Sequence, residues 1–154
     1  MKYLALLRGI NVGGNTKVEM AKLKECFEKL GFTEVKTLLN SGNVVFESPE
    51  NSLLKEKIEK QLEQTFGFYI LVLIRTAEEI KKLIAKDPFK EVKITPDIRL
   101  YVTFLPEGGE LTTAITVSPQ KTTTDLMTRL DKKYGKTITT RNWNTVIKIA
   151  KLME

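Results

Sequence analysis

The residues best suited to chemistry lie in one segment near the start of the chain, Arg8–Asn15. This segment contains one arginine, three glycines and two asparagines. Successive glycines let backbone N–H groups converge on an anion, and an arginine can hold a phosphate or carboxylate through two parallel hydrogen bonds. The segment therefore predicts an anion-binding loop. An architectural loop is the alternative, in which asparagine side chains hydrogen-bond the backbone of a tight connection. The candidate contacts are Arg8, Asn11, Gly13 and Gly14.

The same loop comes within one residue of the P-loop pattern G-x-x-x-x-G-K-[ST], reading Gly9-x-x-x-x-Gly14-Asn15-Thr16. A P-loop needs its lysine to reach the β- and γ-phosphates of a nucleotide. Asn15 takes the place of that lysine, and Lys17 comes two positions late. The spacing is also not the G-x-G-x-x-G of a dinucleotide fold. The loop therefore predicts neither nucleotide hydrolysis nor a dinucleotide site.

The turn Asn40–Asn43 is predicted to lie next to this loop. Its residues tolerate positive φ and join the two strands of a β-hairpin. In a βαββαβ unit the first and third strands are antiparallel neighbours, so the start of the third lies near Arg8 at the end of the first. Ser41 and Asn43 are therefore candidate ligand contacts. Arg75 ends the fourth strand and is expected at the opposite pole, outside the site.

The segment Arg141–Asn144 is predicted to open the last helix. Free N–H groups and the positive end of the helix dipole favour an anion at such a position, so Arg141 is a candidate anion ligand. Trp143 has two interpretations. Its ring either stacks on a base or ring of the ligand or anchors the helix to the core, as aromatic residues commonly do.

The chain contains no histidine. This absence excludes imidazole acid–base catalysis, Ser-His-Asp and Cys-His arrangements, and most zinc sites. An enzyme built on this chain would need buried, tuned Lys, Tyr, Asp or Glu side chains. The loop and the turn also lack carboxylates, so we predict no metal site and no cofactor.

Composition indicates a cytoplasmic protein. The net charge of +6 fits a soluble protein and also agrees with a nucleic-acid partner. No apolar run approaches the roughly 20 residues of a membrane span, and no leader sequence opens the chain, so no membrane partner is predicted. The single cysteine fits a reducing compartment.

Hydrophobic periodicity predicts an α+β fold in two parts. Residues 1–75 show the order βαββαβ, which is typical of a ferredoxin-like unit with two helices on one face of a four-stranded sheet. The predicted strands are 2–8, 34–39, 44–47 and 69–74, and the predicted helices are 20–30 and the segment from Leu54 to Phe66.

Residues 76–154 predict a smaller α/β half packed against the first, an incomplete repeat of the same theme. Thr76 and Glu79 form a capping box that starts a helix. Residues 99–105 read as a strand and residues 111–117 as a threonine-rich edge strand. A short helix from residue 124 or 125 ends before Gly135, and Ile138–Thr140 leads into the last helix. No linker separates the halves, so we expect them to share a surface.

The chain resembles the DUF1697 family (domain of unknown function 1697). The resemblance rests on Tyr3–Gly14, Leu30–Phe46, Arg99–Leu105 and Thr139–Val146. It implies an α+β protein built from two ferredoxin-like halves, and it implies no activity. Pro106–Lys136 is abbreviated and threonine-rich compared with the family, so the second half is expected to lack a strand.

The leading hypothesis is a cytosolic binding module for an anionic ligand, either a nucleotide or a single-stranded nucleic acid. One alternative is a small-substrate enzyme that uses the same rim, with Arg8 and Arg141 as electrophilic anchors. The other is a ligand-free homodimeric scaffold, joined through an exposed sheet face or edge. The predicted rim consists of Arg8, Asn11, Gly13, Gly14, Ser41, Asn43, Arg141 and Trp143.

Overall fold

The fold consists of two antiparallel sheets and five helices within the part of the chain that this computed structural model describes, residues 1–11, 16–38, 42–106, 112–119 and 123–154. Among these residues, no helix is long and apolar enough to cross a bilayer. The strands are β1 Lys2–Leu7, β2 Thr33–Leu38, β3 Asn43–Glu47, β4 Val72–Thr76, β5 Ile98–Phe104, β6 Thr113–Pro119 and β7 Thr139–Asn142. The helices are α1 Met20–Lys29, α2 Leu54–Phe66, α3 Ala77–Lys86, α4 Thr123–Tyr134 and α5 Trp143–Leu152.

The first sheet has the strand order β2-β3-β1-β4, and all of its neighbouring strands are antiparallel. β1 lies inside this sheet because its side chains are apolar on both faces. Tyr3, Ala5 and Leu7 pack with α1 and α2 in one core. Leu4 and Leu6 face a second core on the opposite side. The predicted strand with both faces covered is thereby confirmed.

The second sheet has the order β6-β5-β7, again antiparallel. Side chains alternate along β5, as the two-residue period of a strand requires. Val102 and Phe104 join Leu4 and Leu6 in the second core, together with α3 and α5. Tyr101 faces the other way and packs with α4. Both sheets therefore contribute to the second core, and the two parts of the chain share it.

Two predicted elements need correction. Thr139–Asn142 is a strand that pairs with β5, whereas the sequence placed Arg141 at the start of the last helix. A four-residue strand without apolar alternation has no sequence pattern of its own and forms because β5 offers a free edge. β4 begins at Val72, later than the apolar run from Tyr69 suggested. The Val72 N–H donates to Glu59 Oε2 at 2.8 Å at this point.

The threonine-rich edge strand is confirmed, since β5 is the one strand that pairs with β6 among the described residues. Its observed bounds are Thr113–Pro119, and Leu111, where the predicted strand begins, lies outside the described residues. The second sheet has three strands in the described part of the chain.

The capping box at the start of α3 is also confirmed. Thr76 Oγ1 accepts a hydrogen bond from the Glu79 N–H at 3.1 Å, and Glu79 Oε1 accepts one from the Thr76 N–H at 2.9 Å. Thr76→Ala should therefore lower the free energy of unfolding by about 1 kcal/mol in urea denaturation. Lys81→Ala, on the exposed side of the same helix, should change it by less than about 0.5 kcal/mol. Equal losses in both variants would show that the cap does not stabilise α3.

Candidate functional site

A cavity of about 310 Å³ lies beside the segment that follows β1. That segment forms one wall, and α4 and β7 form the others. The volume is at the lower end of the range for small-molecule sites. Two of the predicted site residues, Arg8 and Arg141, line the cavity. The described lining comprises Arg8, Gly9, Ile10, Met127, Leu130, Asp131, Ile138, Thr139, Thr140 and Arg141.

Arg8 connects the end of β1 to α4. Its Nη1 and Nη2 donate to the two carboxylate oxygens of Asp131, at 3.0 and 2.8 Å. Nη1 also donates to the carbonyl oxygen of Ile138 at 2.7 Å. Both charged side chains are partly exposed, 28% for Arg8 and 25% for Asp131. Water can therefore reach this ion pair, and another anion can compete for it.

One edge of the Arg8 guanidinium, formed by Nε–H and the second N–H of Nη2, lies away from Asp131. Neither group donates to an acceptor within the described residues. Such an edge binds a carboxylate or phosphate through two parallel hydrogen bonds. Because Arg8 lines the cavity and is partly exposed, this edge can donate two hydrogen bonds to an anion in the cavity.

The backbone that follows Arg8 adds two more donors. The Arg8 N–H itself donates to the Leu71 carbonyl. The next two N–H groups, of Gly9 and Ile10, have no acceptor among residues 1–11, 16–38 and the other described ranges. Gly9 has φ +69°, a left-handed conformation that glycine adopts without strain. Consecutive free N–H groups beside a guanidinium edge are the components of an anion site.

Asn11 closes the loop that follows. Its Oδ1 accepts from the Val18 N–H at 2.8 Å, and its Nδ2 donates to the Val18 carbonyl at 3.1 Å. The Asn11 N–H donates to the Thr16 carbonyl. The Asn11 side chain therefore hydrogen-bonds the backbone of Val18, which agrees with the architectural alternative for this asparagine. Gly13 and Gly14, predicted as ligand contacts, lie outside the described residues.

Arg141 supports the cavity from inside the protein. It is 7% exposed, and burial lowers the pKa of its guanidinium to about 10, so it remains charged at neutral pH. Its Nη2 donates to the Leu7 carbonyl at 2.7 Å and to the Gly42 carbonyl at 3.2 Å. Arg141 thus holds β7 against the ends of β1 and β3. It also donates to Asn43 Oδ1, Thr139 Oγ1 and the Thr140 carbonyl.

Asn43 and Trp143, two further predicted contacts, lie apart from the described cavity lining. Asn43 is fully buried, and its Nδ2 donates to the Leu38 carbonyl while its Oδ1 accepts from Arg141. Trp143 is buried in the second core with its ring edge-on to Phe89, so we leave it out of the proposed site. Ser41 lies outside the described residues.

Arg75 lies away from the end of β1 that carries Arg8, in agreement with its exclusion from the predicted site. It pairs with Leu4, toward the start of β1. Its Nη2 donates to the carbonyls of Leu105 and Thr112, so this arginine also joins the first sheet to the second. A larger cavity, of about 590 Å³, lies there, between α3 and the facing ends of β5 and β6.

Sequence reasoning missed Asp131, the carboxylate that pairs with Arg8. A usable signal was present on α4. Asp131 follows Leu130 and lies four residues after Met127, so it falls on the inward side of an amphipathic helix. A partly buried carboxylate at such a position favours a cationic partner, because removing a charge from water is costly when the charge is unpaired.

Comparison with known proteins identifies the family. A search of curated protein sequences found no match. Among solved structures, the conserved bacterial protein SP0830 from Streptococcus pneumoniae is similar, with a TM-score of 0.78 and 24% sequence identity over 99% of this chain and 98% of that one. This likeness shows a common α/β fold. The sequence profile of DUF1697, described as a protein of unknown function, matches residues 1–134. The chain therefore belongs to the DUF1697 family.

Proposed function

We propose that this protein is a cytosolic binding module for a small anionic ligand, a nucleotide or the end of a single-stranded nucleic acid. The anionic group would sit against Arg8, Gly9 and Ile10. One observation carries the proposal. Four N–H groups beside the cavity lack acceptors within the described residues: Nε–H and one Nη2–H of Arg8, and the backbone N–H groups of Gly9 and Ile10. Unused donors at a concave surface favour an anion.

The lining narrows the class of ligand. Ile10, Leu130 and Ile138 are buried apolar residues that would contact an apolar or planar body of the ligand. Asp131 places a negative charge on the same guanidinium that would bind the anion. A second anionic group would meet that charge, so we expect a single phosphate or carboxylate to bind better than a polyphosphate.

We also infer that residues 2–76 form a ferredoxin-like unit. Support comes from the element order βαββαβ, the strand order β2-β3-β1-β4 and the packing of α1 and α2 on one face of the sheet. The unit would place Arg8 where β1 ends beside the start of β3, which is where the cavity opens.

If the proposed site binds an anion, substitutions of the two partners of the Arg8–Asp131 ion pair should change the affinity for that anion in opposite directions. Arg8→Ala should weaken binding of a nucleoside monophosphate or inorganic phosphate at least tenfold, since charge-assisted hydrogen bonds contribute about 1.5–3 kcal/mol. Asp131→Asn should strengthen binding severalfold, because it removes the competing carboxylate and keeps the side-chain volume. Isothermal titration calorimetry at low salt would measure both changes.

Lys132→Ala serves as the control, because Lys132 is an exposed basic residue on α4 outside the cavity lining. It should leave the affinity unchanged. If Arg8→Ala and Asp131→Asn weaken binding equally, the pair is only a structural link and the proposal is wrong. A short single-stranded RNA should be titrated in parallel, because each phosphate contacted lowers log K by about 0.7 per tenfold rise in salt.

A further inference from the structure

The outer edge of β6 carries unpaired backbone groups. The Leu105 N–H donates to the Thr112 carbonyl, and Phe104 pairs with Thr113 at the start of the ladder. In an antiparallel pair, successive residues turn their N–H and C=O groups alternately toward and away from the partner strand. Thr113, Ile115 and Val117 therefore point their backbone groups away from β5. None of the three hydrogen-bonds to another described residue on that side.

The other sheet edges carry features that oppose further pairing. β2 contains Glu34 and Lys36 together with a register shift, and β7 has four residues. On β4, the Val72 N–H is taken by Glu59 Oε2. β6 has no charged residue and no proline before Pro119. Proteins normally protect an edge with charges, bulges or brevity, so an edge without these devices is a surface for another strand.

The side chains beside this edge are apolar and exposed. Ile115 is 46% exposed and Val117 is 45% exposed. They pair with Val102 and Leu100 and so lie on the sheet face that carries α3. A cavity of about 400 Å³ lies between this part of β6 and the end of α3, with Leu83 in its wall. An added strand would cover all of these groups at once.

We propose that the partner strand is β6 of a second copy of this chain, paired antiparallel about a two-fold axis at Thr116. In this register Ile115 lies opposite Val117 of the partner subunit. Both residues turn their backbone groups outward, so each such pair can exchange two hydrogen bonds. Thr113 would lie opposite the partner's Pro119, where the missing N–H of proline costs one bond at each end. The two three-stranded sheets would become one continuous sheet.

Charge and shape favour a second copy over a charged peptide. The cavity beside β6 is bordered by two lysines, one aspartate and one glutamate, so it carries no net charge to select an acidic or basic partner. β6 itself is uncharged. Self-pairing sets β-branched apolar side chains opposite each other, a favourable cross-strand contact. A two-fold axis also satisfies the requirement that one patch complement itself.

Analytical ultracentrifugation over a wide range of protein concentration tests the proposal. The wild-type chain should dimerise, and Ile115→Lys should raise the dimer dissociation constant at least tenfold by placing a charge in the interface. Ile94→Lys is the matched control, since Ile94 is 73% exposed and distant in sequence from β6. This variant should dimerise like the wild type. Circular dichroism should show that both variants remain folded.

A cysteine at the two-fold axis tests the register independently. Thr116→Cys should form an intermolecular disulfide under mild oxidation, because directly opposite residues in a non-hydrogen-bonded pair lie within disulfide range. Thr113→Cys, on the same strand, should not, because its counterpart would be Pro119. A monomeric wild type, a dimer insensitive to Ile115→Lys, or equal cross-linking of the two cysteine variants would overturn the proposal.

Discussion

Arg141→Ala is expected to lower the free energy of unfolding by about 3 kcal/mol or more, because each buried acceptor left without a donor costs about 1–3 kcal/mol. The Leu7 carbonyl, Asn43 Oδ1 and Thr139 Oγ1 would lose this guanidinium as their donor, whereas the Gly42 carbonyl would keep the Leu7 N–H. All of these groups lie where the two sheets meet. The free energy of unfolding of a domain is only about 5–15 kcal/mol in total, so the variant should lose a large fraction of its stability. Urea denaturation monitored by circular dichroism would measure the loss.

Two further variants separate the hydrogen bonds from the charge. Arg141→Lys keeps a positive charge but lacks the planar fork of five donors, so it should recover only part of the lost stability. Lys132→Ala removes an exposed basic side chain on α4 and should change the free energy of unfolding by less than about 0.5 kcal/mol. A loss below about 1 kcal/mol for Arg141→Ala would mean that water replaces the guanidinium, against the hydrogen-bond argument.

Gly42→Ala is expected to destabilise the protein by about 3 kcal/mol, from two effects that act together. Gly42 has φ +86°, a conformation that costs other residues about 1–2 kcal/mol. An added Cβ would also lie 2.8 Å from Leu7 Cβ and 2.9 Å from Ile10 Cδ1. Leu7 is fully buried in β1 and cannot move aside, so overpacking adds about 1–3 kcal/mol. Thermal and urea denaturation would measure the sum.

Gly9→Ala isolates the backbone effect, since Gly9 has φ +69° and nothing lies within 4 Å of the added Cβ. Its cost should be about 1–2 kcal/mol. Equal losses at both glycines would show that the contact with Leu7 relaxes and that only φ matters. Because Ile10 lines the cavity, Gly42→Ala should also weaken phosphate binding in the fraction that remains folded.

Three arginines explain how the two sheets are held together. Arg8 extends from the end of β1 to α4. Arg75 extends from β4 to the facing ends of β5 and β6. Arg141 extends from β7 to β1 and β3. Each donates to backbone carbonyls at or just beyond the end of a strand, and two of these carbonyls, of Gly42 and Thr112, also accept a backbone N–H. A guanidinium suits this role because it presents five donors in a rigid plane. Arg8 differs from Arg141 in keeping one exposed edge.

The sequence alone determined the features that depend on near neighbours in the chain. The apolar residues of β1 indicated burial on both faces, and Thr76 with Glu79 indicated the capping box. Asn43, the last residue of the predicted turn, was placed correctly beside the end of β1, since it pairs with Leu6; that inference came from the order of the elements. These inferences hold because strand periodicity and helix caps are set by interactions over a few residues.

The tertiary structure alone decided what the predicted site residues contact. Arg8 meets Asp131 across 123 positions of sequence, and Arg141 meets Leu7 across 134. Thr139–Asn142 is a strand because β5 accepts it, and the ring of Trp143 is buried because Phe89 and the second core surround it. No local pattern encodes such contacts, since an arginine that binds a ligand and one that ties two sheets together look alike in sequence. Only the positions of the acceptors tell them apart.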